Sequence, residues 1–276
     1  MLLIIEALLL ILAALGQDHR AAVDGQIFPL DMALNSVDDN YDGCTKEMVN
    51  LVKTKYREKE MQSNFANAWK HAEKNYKPPG DNLTKNHLIA IYVYTNSKFE
   101  IYKDFNNAVR DEKKNYQNKK FKWLSLHFLL TDAIQILKKT QKGCMLTYRR
   151  TNVDFNENVL NKEVRFGSFA SSSFNHTKTK KLGKKSCFVI YTYEGANLTK
   201  YSKYDNEEDE LIPPYETFKV TAVKKGKHQK DLWCDTVFTL KSSGKRSDLE
   251  LCSIQETTQD HNNILRLTMK VLDKVC

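Results

Sequence analysis

Most of the familiar catalytic signatures are missing from this 276-residue chain. It has no glycine-rich phosphate loop, no Gly-x-Ser-x-Gly elbow and no His-Glu-x-x-His pair, which excludes P-loop, α/β-hydrolase and zincin chemistry. No two cysteines form a Cys-x-x-Cys pair, and their spacings fit no zinc ligand set. There is no internal repeat and no structureless linker long enough to divide the chain. The opening apolar run, Met1 to Gly16, is too short to span a bilayer. At the other end, Leu267 to Cys276 is interrupted by Lys270 and Lys274, so it makes neither a transmembrane tail nor a good lipid-anchor signal. What is present is ordinary globular stock, 41% apolar and 28% charged, which excludes wholesale disorder. The net charge of +9 permits anionic partners without choosing among them.

The first sixteen residues read as a secretory signal peptide. Leu8 to Leu12 form its apolar heart, and Ala14 and Gly16 are the small residues a signal peptidase requires. Polar Gln17-Asp18-His19-Arg20 follows at once. Asn82-Leu-Thr84, Asn175-His-Thr177 and Asn197-Leu-Thr199 are glycosylation sequons, which suits the same route. Six cysteines (Cys44, Cys144, Cys187, Cys234, Cys252 and Cys276) then read as disulfide partners, although spacing alone selects no pairing. The expected product is a secreted, extracellular glycoprotein with no membrane span.

The remainder divides by character. From Glu47 to Tyr76 apolar residues recur at helical spacing (Met48, Leu51, Val52, Phe65, Trp69), and Lys77-Pro-Pro-Gly80 ends the region. Leu126, Leu129, Leu130, Ala133, Ile134 and Leu137 mark the clearest amphipathic helix. After Thr140, runs rich in β-branched and aromatic residues take over: Cys187–Tyr193, Phe218–Val223 and Thr236–Leu240. Helices first and strands second indicate an α+β fold in one domain, residues 17–258, with a helical lobe to about 140 and a β lobe over 141–258. Residues 259–276 form a tail.

Two lysine-rich stretches, Lys178 to Lys185 and Lys224 to Lys230, lack the interleaved aromatics of nucleic-acid sites and read as solvated loops. Three other segments carry more. They are Cys144-Met-Leu-Thr-Tyr-Arg149-Arg-Thr151, Arg165-Phe-Gly-Ser-Phe-Ala-Ser171-Ser-Ser-Phe174, and Tyr201-Ser-Lys-Tyr-Asp-Asn-Glu207-Glu-Asp209-Glu-Leu-Ile-Pro-Pro214. Each alone has a bland reading as a strand end, a serine-rich turn or an acidic loop.

In this order the three segments resemble the R–S–E signature of the vertebrate secreted and surface-anchored arginine-specific mono-ADP-ribosyltransferases. Ala90-Ile-Tyr-Val-Tyr94-Thr, His127-Phe-Leu-Leu-Thr-Asp-Ala133 and Pro214-Tyr-Glu-Thr-Phe-Lys-Val220 add flanking matches, so the resemblance runs from about Phe28 to Cys252. It implies the ADP-ribosyltransferase fold: a helical lobe followed by two small packed β-sheets with an NAD cleft. It also implies an NAD(P)(+)-protein-arginine ADP-ribosyltransferase, a glycosyltransferase that moves ADP-ribose from NAD to arginine side chains of extracellular proteins and releases nicotinamide. NAD is then substrate rather than a permanently bound cofactor, and neither a metal nor nucleic acid is needed. Two alternatives are an NAD glycohydrolase and a catalytically silent binding protein that keeps the fold.

Carried onto this chain, the resemblance assigns catalytic roles to Arg149, Ser171, Asp209 and Glu207, and NAD contacts to Tyr94, Arg149, Ser168 and Ser202. A guanidinium can hold a pyrophosphate by two parallel bonds, as lysine cannot. A carboxylate can stabilise the oxocarbenium-like state formed as the nicotinamide–ribose bond breaks. Ser171 orients that carboxylate and the ribose, and Glu207 orients the acceptor guanidinium. Arg150 replaces a family glycine and is expected to add bulk and charge beside the phosphates. Ser168 stands where glutamine is common. Asp209 falls at the family glutamate position in the gapless register; a one-residue slip presents Glu208 and Glu210 instead. The resemblance also implies disulfides Cys44–Cys252 and Cys144–Cys187, leaving Cys234 and Cys276 to pair together, stay free or join two chains.

Overall fold

The computed structural model describes residues 25–61, 64–204, 209–229, 231–249 and 276. The signal peptide, nearly all of the 259–276 tail, Glu207 and Cys252 lie outside the described residues.

Helices fill the first half. α1 (Thr45–Leu51) continues through a π-helical stretch, Val52–Tyr56, into α2 (Arg57–Glu60). α3 (Asn64–Glu73) ends before the Lys77-Pro-Pro-Gly80 breaker, as its prolines dictate. α4 (Lys85–Thr95) starts from a capping box in which Thr84 Oγ1 accepts from His87 N and the His87 ring accepts from Thr84 N. Every residue from His87 to Thr95 is buried, the pattern of a helix encased on all sides. α5 (Ile101–Asp111) and the short α6 (Lys113–Gln117) follow. α7 (Leu124–Lys138) buries all six apolar residues that marked it in the sequence.

The N-terminus of α7 has no cap of its own. Glu60, arriving from α2, accepts a 2.6 Å hydrogen bond from Ser125 N and fills that place. Burial outweighs the favourable helix end and raises the Glu60 pKa to about 8.

Strands dominate after residue 140: β2 (Met145–Arg150), β3 (Asp154–Phe155), β4 (Glu163–Val164), β5 (Ala170–Ser173), β6 (Ser186–Thr192), β7 (Ala196–Asn197), β8 (Asp209–Ile212), β9 (Glu216–Lys225) and β10 (Thr236–Lys245). One early strand, β1 (Ile27–Phe28), pairs in parallel with β3. The other strands form one ladder in the order β4-β9-β10-β6-β2-β5-β8-β7. Between β2 and β5 the join rests on a single residue pair, Tyr148 with Ser173. The two expected sheets are therefore the blocks on either side of that pair, carried by one ladder.

Two large apolar clusters follow this division. The first takes in the helices together with Phe169, Ala196, Leu198, Tyr201 and Leu211 from the β5–β8 side. The second lies mainly on the other block, where Phe188 stacks on Phe238 at 5.3 Å, and Ala170 of β5 and Ile212 of β8 join it across the divide. Phe169 joins the two lobes, with its ring stacked 5.4 Å from Phe105 of α5 and 5.3 Å from the edge-on His127 of α7.

One sequence-based pairing is overturned. Cys144 bonds to Cys276 and Cys187 to Cys234; Cys144 does not bond to Cys187. The ladder explains why. Met145 faces Thr192 and Arg150 faces Cys187 along the antiparallel β2–β6 pair. Cys144 and Cys187 thus stand at opposite ends of it, roughly 20 Å apart at the usual rise per residue. Cys187 instead faces Val237 of β10, close to the segment that holds Cys234. Cys44 is disulfide-bonded, but the Cys252 half of its expected bridge lies outside the described residues.

Candidate active site

The polar residues singled out in the sequence converge where the blocks meet the helical lobe. Arg149, at the end of β2, is 6% exposed and donates from Nη1 to the Ser171 carbonyl of β5 at 2.7 Å. Its guanidinium lies 6.0 Å over the Phe166 ring. Tyr94, near the end of α4, donates from its hydroxyl to the Phe169 carbonyl at 3.2 Å. Burial raises the Tyr94 pKa and keeps the phenol neutral; hydrogen bonds to Asn106 and Ser171 and the Arg149 charge oppose this, and the Asp209 charge reinforces it. Tyr94, Arg149, Ser171 and Asp209 therefore share one neighbourhood. Ser202 completes it, donating from Oγ to Asp209 Oδ2 at 3.0 Å.

The two adjacent carboxylates of β8 are separated by the strand's alternation. Asp209 pairs with Ser173 and Glu210 with Ser172. Asp209 turns to Ser202, and Leu211 joins the helical cluster on the same face. Glu210 turns the other way, where its Oε1 would meet a Cβ on Gly195 at 2.6 Å, so a side chain at that position would have to displace the carboxyl. Neither Glu210 oxygen has a hydrogen-bond partner among the described residues. Burial, with the nearby Glu216 charge, raises its pKa to about 8 against the pull of Lys138. Glu216 is also buried but well served, accepting from Thr192 Oγ1 at 2.6 Å, Ser242 Oγ at 2.7 Å and the Tyr193 and Glu194 amides. Its pKa rises to about 7, again through burial.

Ser168 sits at one side of this cluster, accepting a 3.2 Å hydrogen bond from Arg110 Nη2. Sequence reasoning overlooked Arg110 and Asn106. One turn apart on α5, they bind the hydroxyls of Ser168 and Tyr94, the second at 3.1 Å. Their four-residue spacing on an amphipathic helix was the available signal. Glu207 lies outside the described residues, so the structure says nothing of its position.

Three motif residues have other surroundings. Arg165 is fully buried and ion-paired with Asp38, and it donates to the Met32 and Arg246 carbonyls, which fastens the early chain to the β lobe. Gly167, at φ +71°, would drive a Cβ to within 2.6 Å of the Ala33 methyl. Arg150 does not extend the Arg149 site. Successive strand residues face opposite ways, and its guanidinium stacks 4.5 Å over the Trp233 ring on the far side of β2. Among the described residues no three His, Cys, Asp or Glu side chains are grouped to hold a metal ion, and no helix is long and apolar enough to cross a membrane.

The family model described as NAD:arginine ADP-ribosyltransferase matches residues 30–248. The chain is 33% identical over 213 residues to the GPI-linked NAD(P)(+)--arginine ADP-ribosyltransferase 1 of Mus musculus, a match covering 70% of this chain and 64% of that protein. It is 36% identical over 211 residues to the mouse T-cell ecto-ADP-ribosyltransferase 2, covering 71% and 69% of the two. The chain thus spans about two thirds of the length of these relatives. Among solved structures, the eucaryotic mono-ADP-ribosyltransferase ART2.2 superposes with a TM-score of 0.67 at 27% identity, covering 82% of this chain and 99% of that one. A variant of ART2.2 has been solved in complex with NAD and superposes with a TM-score of 0.64 at 26% identity, with the same coverage. From its fold, its clustered motif residues and these likenesses, the chain belongs to the NAD:arginine ADP-ribosyltransferase family.

Proposed function

We propose that this protein transfers the ADP-ribosyl group of NAD to arginine side chains of extracellular proteins. The observation that carries the reading is the convergence of Tyr94, Arg149, Ser171, Ser202 and Asp209, from separate stretches of chain, within a member of this family. In this scheme Arg149 holds the pyrophosphate by parallel hydrogen bonds. The bond from the ribose anomeric carbon to the nicotinamide nitrogen breaks, and neutral nicotinamide leaves. Asp209, oriented by Ser202, faces the cationic sugar and stabilises it. Ser171 fixes the ribose. The acceptor guanidine nitrogen then bonds to the anomeric carbon and gives up a proton to Glu207, the carboxylate that orients it. Ser168 and Tyr94 line the NAD site.

The relatives are named as ecto- or GPI-linked enzymes, which supports an extracellular setting for a single-domain protein. A second reading, NAD glycohydrolase, draws on one feature: none of the five clustered side chains is more than 8% exposed. Water reaches such a site more easily than a protein arginine. Incubating the purified protein with NAD, with and without agmatine, tests both readings. Nicotinamide release with a labelled agmatine adduct supports transfer. Release without an adduct supports hydrolysis, and no release defeats both.

A further inference from the structure

The two lysine-rich stretches that read as separate solvated loops belong to one surface. Along a single row of the ladder Lys224 of β9 faces Val237 of β10, Val237 faces Cys187 of β6, and Cys187 faces Arg150 of β2. Paired residues point to the same side of a sheet, so Lys224 and Arg150 share a face, about 14 Å apart across three strand spacings. The Cys187–Cys234 disulfide lies between them.

Main-chain bonds of Lys184, Lys185 and Gly226 bring the two stretches together at that end of the sheet. Asp235 N donates to the Lys184 carbonyl and Gly226 N to the Asp235 carbonyl, each at 2.7 Å. Lys185 N donates to the Thr151 carbonyl, next to Arg150. The result is a basic edge made of Lys180, Lys181, Lys184, Lys224 and Lys227, all exposed or half-exposed. None of these five forms a salt bridge among the described residues. Of the neighbouring carboxylates, Asp154 and Glu157 are taken up by Lys185 and Lys225, and the exposed Asp235 is an acid set among the five lysines.

We propose that this edge is a docking surface for a linear sulfated polysaccharide. Five unpaired ammonium groups spread over the two stretches suit a chain that carries point charges at intervals. The surface offers little to a nucleic acid. The Trp233 ring is occupied by the Arg150 guanidinium, and Tyr148, His176 and Trp233 pack on one another, with ring centroids 5.6 to 6.2 Å apart. No bare platform is left among them on which bases could stack. The choice of glycan also rests on the extracellular reading above; the charge cluster itself does not, and neither does its test.

The test applies the full chain to immobilised heparin and, in the same salt gradient, to a plain sulfonate exchanger. The protein is expected to leave heparin at the higher salt concentration. Lys180→Glu/Lys181→Glu/Lys184→Glu should weaken binding to a heparin oligosaccharide on the order of a hundredfold, given the usual contribution of a lysine near an anionic surface. Lys119→Glu/Lys120→Glu/Lys122→Glu makes the same change in net charge on the helical lobe and should leave heparin binding within a few fold of the parent. Equal loss in the two triple variants, or equal elution from the two columns, overturns the proposal. So does a DNA duplex that displaces the protein from heparin at lower concentration than the oligosaccharide, since that assigns the edge to nucleic acid. Both variants are lysine changes outside the catalytic cluster. A parallel measurement of nicotinamide release keeps a failed glycan site distinct from a failed enzyme reading.

Discussion

The hydroxyl of Ser202 donates to Asp209 Oδ2 at 3.0 Å, and through it the loop after β7 sets the direction of the first side chain of β8. In the proposed scheme the carboxylate so held stands for the family glutamate and is one methylene shorter, and that shortfall sets the first expected outcome.

Asp209→Glu should raise nicotinamide release roughly ten- to a hundredfold, the reverse of the penalty for misplacing a catalytic group by about 1 Å. Asp209→Asn should remove the remaining activity, because an amide has no charge to set against the cationic sugar. Glu210→Gln faces the other side of β8 and should leave release unchanged. An Asp209→Glu enzyme no faster than the parent would count against this account, as would a strong effect at Glu210.

Arg149→Lys should weaken NAD binding more than the retained charge suggests, because lysine cannot make the two-pronged contact. Calorimetric titration with NAD measures this directly. Unaltered affinity would remove Arg149 from the pyrophosphate role.

Stability should fall as pH rises from about 4.5 to about 8. Glu60 and Glu210 keep their protons to about 8 in the folded protein and Glu216 to about 7, whereas an unfolded chain releases all three near 4.5. The native state therefore binds more protons in that window, which makes the slope negative. His127 acts in the opposite sense. Burial lowers its pKa to about 4, so it contributes stability that is lost as pH falls from 6.5 towards 4. Three carboxyls outweigh one imidazole, and the chemical-denaturation midpoint should be higher at pH 5 than at pH 8. Glu210→Gln should flatten the slope; an unchanged profile would contradict the assignment.

Peptide mapping without reduction should recover Cys144 linked to Cys276 and Cys187 linked to Cys234. The second bridge spans 47 residues, for which the loop-entropy model assigns about 4 kcal/mol. Cys187→Ala/Cys234→Ala should lower the melting temperature accordingly while leaving the first bridge intact.

Much of this was legible in the residues themselves. The 3.6-residue rhythm of Leu126 to Leu137 is local, and so are the β-branched runs that became β6, β9 and β10. The cysteine pairing was not legible, because it depends on register: only the facing of Arg150 with Cys187 shows that Cys144 lies at the far end of the strand pair. The Glu60 cap on α7 joins residues 65 positions apart, and no local pattern announces it. Asn106 and Arg110 belong to no motif, and their roles show only where α5 lies against Ser168 and Tyr94. Arg150 was misjudged for a simpler reason. Adjacency in sequence suggested adjacency in the site, whereas alternation along β2 sends it to the other face.

The same alternation makes β8 a strand with two independent tenants. Asp209 answers to Ser202 beside the proposed NAD site, whereas Glu210 answers to Gly195, Lys138 and Glu216 in the interior. In the proposed scheme, mutation at the first position strengthens, blunts or extinguishes chemistry without disturbing the buried carboxyls behind it. The scaffold can therefore drift in catalytic power over evolutionary time while its architecture persists, and a lineage that abandoned the reaction would still inherit a secure fold for some other use.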